Sequence, residues 1–157
     1  MKKLLTICLM SLAALGARAQ NESTATDKHL DFLGVEIKGS IDDIKEKLEP
    51  NFKLKKRVGT ENYYLFEGPM FGYNVPVQVA YTRKSRTIFR FTVTPKNINL
   101  LAWQDSLINK YGDPVQTEQG LLWQRPEGMI LYYAPQGYET ALIYLDAAGN
   151  AAYKEEK

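Results

Sequence analysis

The chain has one histidine, His29, and its one cysteine, Cys8, lies in an apolar stretch near the start. Nucleophilic catalysis needs a hydroxyl or thiol beside a base, so His29 is the only imidazole that could serve. Zinc sites of the usual kind draw several Cys and His ligands together, and this chain lacks them. His29 sits at the edge of a polar stretch and reads as a surface residue. No glycine-rich phosphate loop or dinucleotide fingerprint occurs, so no cofactor is implied. Carboxylates remain. Asp42 and Asp43 are adjacent at a helix start, where capping explains them. Glu61, Glu67, Glu118, Glu127 and Glu139 fall at expected strand ends and turns. A glycosidase needs two acids about 5–10 Å apart in a cleft, and the spacing brings no two of these together. A cleft hydrolase acting on glycans or peptides is the weakest of three readings, and the chain is read as a non-enzyme.

Recognition chemistry is better supplied. There are 10 tyrosines and 2 tryptophans. Tyr and Arg give large contact area with polar handles. Period two sorts the faces of the expected strands. Val75, Val77, Val79, Phe89, Phe91 and Val93 are expected to face the helices, with Gln78, Arg90, Thr92 and Thr94 opposite. On the last strands Leu131, Tyr133, Ile143 and Leu145 are expected inward, and Tyr132 and Tyr144 outward, joined by Tyr64. The candidate binding face is thus Tyr64, Gln78, Arg90, Thr92, Tyr132 and Tyr144. Two basic clusters, Lys53-Lys55-Lys56-Arg57 and Arg83-Lys84-Arg86, read as solvated turns suited to an acidic partner, lipid head groups or an anionic glycan. Phe71 and Tyr73 form an apolar tip, either a contact point or a tuck over the sheet end.

The elements that position these residues follow from local signals. Leu30 to Ile37 reads as an extended lead-in. Ser40 is a good N-cap with Asp43 three residues on, and Ile41, Ile44 and Leu48 form one apolar stripe ended by Pro50. Tyr63–Phe66, Val75–Thr82 and Thr87–Thr94 read as strands, the last two as a hairpin. The pattern restarts with a helix through Leu100, Trp103, Leu107, Ile108 and Tyr111, closed by Gly112 and Pro114. Strands at Leu121–Gln124, Met129–Ala134 and Thr140–Asp146 follow. Residues 147–157 read as a tail that adds a short strand or frays. The expectation is one α+β domain over 30–146, with two α-β-β-β units (about 37–94 and 98–146) forming an antiparallel sheet and helices on one face.

The first residues set the compartment. Lys2 and Lys3, the apolar run Leu4–Leu15 and Ala17-Arg18-Ala19 make a Sec-type signal peptide over residues 1–19. A flexible leader over 20–29 is expected next. Cleavage removes three bases and no acid, taking the formal charge from +2 to about −1. That balance argues against nucleic acid as a partner. Cleavage also removes the only cysteine, so the exported domain must hold together through its core rather than disulfides. No later segment is apolar enough to span a bilayer.

Ile37-Lys38-Gly39-Ser40 opening one helix and Lys110-Tyr111-Gly112-Asp113-Pro114 closing another resemble the punctuation of β-lactamase-inhibitor-protein-like and SmpA/OmlA-like modules among small secreted bacterial envelope proteins. That resemblance implies tandem helix-plus-sheet units, with a concave sheet face opposite the helices for partners. No functional residue is carried over. The leading expectation is a periplasmic or secreted non-enzymatic module that binds a protein partner of the cell envelope through its open sheet face. An envelope-assembly or structural accessory role is the alternative.

Overall fold

Ser40 starts the first helix as its sequence predicts. Its hydroxyl accepts from the Asp43 amide, and the Asp43 carboxylate accepts from the Ser40 amide, a reciprocal capping box. The Ser40 hydrogen bonds hold the Asp43 carboxyl below the usual range. Helix α1 (Ile41–Leu48) buries Ile41, Ile44 and Leu48. The computed structural model describes residues 28–157. The expected signal peptide and the leader up to residue 27 lie outside the described residues.

Ahead of α1, the extended lead-in is a small hairpin of β1 (Asp31–Phe32) and β2 (Val35–Glu36). After α1 come β3 (Lys53–Val58), β4 (Tyr63–Met70), β5 (Tyr73–Tyr81) and β6 (Ile88–Val93). Helix α2 (Leu100–Tyr111) follows, capped by the Asn99 side chain on the Ala102 amide and ended at Gly112, φ 85°. Then come β7 (Val115–Thr117), β8 (Gly120–Arg125), β9 (Gly128–Tyr133), β10 (Ala141–Asp146) and helix α3 (Ala147–Glu155).

The protein is of mixed α/β class. Its main sheet has eight strands in the order β3-β4-β5-β6-β10-β9-β8-β7, with every neighbour antiparallel. Strands β6 and β10 meet in the middle, pairing Val93 with Leu142 and Phe91 with Tyr144. Two strands go beyond the sequence expectation. The basic run after α1 is not a turn but the edge strand β3, and β7 forms the opposite edge. Lysine-rich strands score poorly for strand propensity, yet on an edge the same charges deter further pairing.

The covered face of the sheet carries Tyr64, Phe66, Val77, Val79, Phe91, Val93, Trp123, Ile130, Tyr132, Leu142 and Tyr144, all buried. Helices α1 and α2 and the small hairpin close over it. Phe32 sits at the join, with its ring centroid 5.0 Å from Phe91, 5.2 Å from Tyr144 and 5.7 Å from Phe52. Each such fully buried side chain contributes about 1.5–3 kcal/mol. Phe71 and Gly72 form a two-residue turn with φ 50° and 80°, the left-handed geometry that tight hairpins require. Phe71 holds it without being glycine because its ring packs edge-on against Trp103, 5.4 Å away. The apolar tip therefore tucks over the sheet end.

The expected tail is helix α3. Asp146 caps it, accepting from the Gly149 amide. Gly149 lies directly on the Ile88–Phe89 backbone, with no room for a Cβ. Tyr153 stacks on Phe89 at 4.3 Å and 18°.

Candidate functional site

On the face away from α1 and α2, the strand register aligns one row of side chains across all eight strands. It runs Lys56, Leu65, Gln78, Thr92, Ile143, Leu131, Leu122, Val115. A second row runs Val58, Tyr63, Ala80, Arg90, Leu145, Met129, Gln124. The β3–β6 half of this face mixes polar with apolar side chains, and the β10–β7 half is largely apolar. Helix α3 packs at the Phe89 end and is the only described helix on this side.

Gln78, Arg90 and Thr92 lie on this face, as expected, and each is half-buried. Arg90 rests beside the Phe89 ring, 5.7 Å from its centroid, and its Nε is buried without a hydrogen-bond partner. The two side chains share a face because the register slips between Ala80 and Tyr81, leaving Phe89 as an extra residue. Phe89, expected to face the helices, is thereby turned outward.

Tyr64, Tyr132 and Tyr144 are not on this face. They are 5 %, 2 % and 0 % exposed, respectively, and point into the core. The expected inward set is inverted with them. Leu131, Ile143 and Leu145 are half-buried on the outer face, and Tyr133 is 40 % exposed. A strand shifted by one residue exchanges its whole set of side chains between faces. Here both phases of β9 and β10 are apolar or aromatic, so alternation alone had no polar phase to anchor it.

The buried tyrosines are structural. Tyr144 Oη and Tyr111 Oη are 2.7 Å apart. Burial pushes Tyr111 up to about 12 and Tyr144 well above its ordinary value. Burial also raises Tyr132, whose Oη has no hydrogen-bond partner. Tyr64 Oη meets Asp42 at 3.5 Å and Arg86 Nη2 at 3.2 Å. Arg86 Nη2 also donates to both Asp42 oxygens, at 3.0 and 3.2 Å; the hydrogen bond to Tyr64 first, and those to Asp42 after it, raise the guanidinium. Arg86 is thus tied to the α1 N-terminus rather than loose in a solvated turn.

Sequence reasoning missed Leu122, Met129, Leu131, Ile143 and Leu145 as candidate contacts. The β7–β8 turn, Thr117 to Gln119, curls beside Leu122, Met129 and Leu131 and encloses about 350 Å³ with them. Val115, at the end of the long row, is 62 % exposed. The signal was present in Trp123. A tryptophan between Leu122 and Gln124 marks its own phase as the buried one, and the β8–β9 pairing then assigns Ile130 to the core and Leu131 to the outside.

His29 is a second correction. Its side chain is 15 % exposed and its Nδ1 lies 2.8 Å from the Asp146 carboxylate, itself fully buried. Among the described residues no group of three or more His, Cys, Asp or Glu could hold a metal ion. No described helix is long and apolar enough to cross a membrane.

Sheet, helices and outer face together define a mixed α/β protein whose eight-stranded antiparallel sheet has one face closed by α1 and α2. Comparison of the chain with family models, curated proteins and solved structures gave no significant match.

Proposed function

We propose that this is an exported, non-enzymatic module that binds a protein partner of the cell envelope through its outer sheet face. The arrangement is read as two helix-led halves in tandem, each with four strands rather than the three expected, joined along β6 and β10. The observation that carries the reading is the largely apolar row Thr92–Ile143–Leu131–Leu122–Val115, which lies outside the core and beside the groove at Thr117–Gln119. An apolar strip rimmed by polar groups is how protein interfaces are built. Gln78, Thr92 and Arg90 supply the polar rim. The N-terminal residues Lys2, Lys3, Leu4–Leu15 and Ala17-Arg18-Ala19 support export.

The test uses chemical crosslinking of the purified protein to an envelope extract, with the captured species identified by mass spectrometry. Leu131→Glu with Ile143→Glu should abolish capture, a loss of at least about 30-fold for central contacts. Because the two glutamates stand opposite each other on paired strands, circular dichroism of the variant must show the wild-type fold before capture is compared. Equal capture by this variant and the wild type would overturn the assignment of the face.

A further inference from the structure

The tip of the β5–β6 hairpin holds a carboxylate in a cradle of donors. Glu156 Oε2 accepts from the Lys84 amide at 2.7 Å, and Oε1 accepts from the Ser85 amide at 2.9 Å and the Ser85 hydroxyl at 2.6 Å. The Ser85 hydroxyl is itself positioned by Thr82 Oγ1 at 2.6 Å and Thr87 Oγ1 at 2.9 Å. Two consecutive backbone amides aimed at one group make an anion-binding concavity. Arg83 and Lys84 flank it, exposed and without an ion-pair partner among the described residues. The bound carboxylate comes from the residue just past α3, the helix whose Tyr153 covers Phe89.

We propose that this hairpin tip is a carboxylate-binding site for an acidic peptide segment, with Glu156 as its resident occupant in cis. The three donors bond more strongly to an oxyanion than to a neutral oxygen and read nothing of the chain behind it, so a partner's Asp or Glu fits as Glu156 does. Arg83 and Lys84 favour a segment carrying further acids on either side. Because Glu156 and Tyr153 lie on the same terminal segment, an incoming acid that displaces Glu156 also loosens the cover over Phe89. The cradle stands on its own geometry, independently of whether the outer face binds a partner.

The experiment is an NMR titration of wild type and Glu156→Ala with hexaglutamate peptide, and with acetate as the bare carboxylate. In Glu156→Ala the Lys84 and Ser85 amide resonances should shift saturably, with hexaglutamate binding at least tenfold more tightly than acetate. Wild type should bind at least tenfold more weakly than the variant. Ser85→Ala placed on Glu156→Ala should weaken binding, since the hydroxyl is one of three donors. Absence of shifts at those amides in Glu156→Ala would overturn the site. Equal affinity in the two proteins would overturn the cis occupancy. Equal affinity for acetate and hexaglutamate would overturn the acidic-peptide assignment.

Discussion

His29 and Asp146 stand 117 residues apart in the chain and 2.8 Å apart in the fold. The same carboxylate accepts from the Leu30 amide at 3.0 Å and the Gly149 amide at 2.9 Å. One buried acid thus ties the first described segment to the last helix. Asp146→Ala should destabilise the protein by about 3 kcal/mol, because it leaves two buried amides without acceptors at about 1–3 kcal/mol each. His29→Ala should cost less than half of that. Urea unfolding of the three proteins checks the order, and equal stability of wild type and Asp146→Ala would rule it out.

The two buried tyrosines at neighbouring positions of β9 and β10 should respond oppositely to loss of a hydroxyl. Tyr132 Oη is unpaired in the core, so Tyr132→Phe should be neutral within about 0.5 kcal/mol or stabilising. Tyr144 Oη meets Tyr111, so Tyr144→Phe should cost about 1 kcal/mol. Tyr132→Ala should cost about 4 kcal/mol through the cavity it leaves. Thermal unfolding distinguishes this pattern from surface tyrosines, for which all three changes would be small.

Glu156 gives a pH dependence of known sign. The Ser85 and Lys84 donors hold its carboxyl down at about 2, against an ordinary 4.5. A depressed carboxylate contributes its stabilisation above its unfolded pKa and loses it as pH falls through the folded one. The attachment of α3 should therefore be constant above about pH 5 and weaken between pH 4.5 and 2. Hydrogen exchange along Ala147–Glu155, taken relative to the intrinsic rate at each pH, should rise over that window in wild type. In Glu156→Gln it should already be raised at neutral pH and vary less. A wild-type profile flat down to pH 2 would contradict the donor geometry.

The β3 edge is protected by chemistry. Lys55 meets Glu67 at 3.3 Å, Lys56 heads the outer row, and the β3–β4 register breaks between Leu54 and Lys56. Charge and bulge both discourage a second chain from adding a strand. Lys53→Thr, Lys55→Val and Lys56→Val combined should leave the fold intact and promote concentration-dependent association. Sedimentation velocity reads this directly, and a monomeric triple variant at high concentration would show that the charges are not the barrier.

Much of the fold was legible because its signals were local. Ser40 with Asp43, the 41-44-48 stripe and Gly112 each carry their own geometry. Strands with a polar phase were also readable, as Gln78 and Thr92 show on β5 and β6. What failed was non-local. Met129–Tyr133 and Ala141–Leu145 are apolar or aromatic in both phases, so their facing is decided by pairing with Trp123 and Phe91. The Phe89 bulge and the edge position of Lys53–Val58 likewise depend on partners far along the chain. The facing of the six candidate residues was therefore legible for Gln78, Arg90 and Thr92 alone. Those three lie on the outer face, and the three tyrosines point into the core in place of the leucines and isoleucine beside them.

Strand β10 occupies the middle of the sheet, yet it is built from Ala141–Asp146, near the end of the chain. Until those residues emerge, β6 and β9 each present an unpaired edge and the core lacks Tyr144 and Leu142. Pairings of such long sequence separation form slowly. Completion of the core therefore waits on Ala141–Asp146, however much of the earlier sheet has already paired. The two half-sheets become one only when β10 slots between β6 and β9.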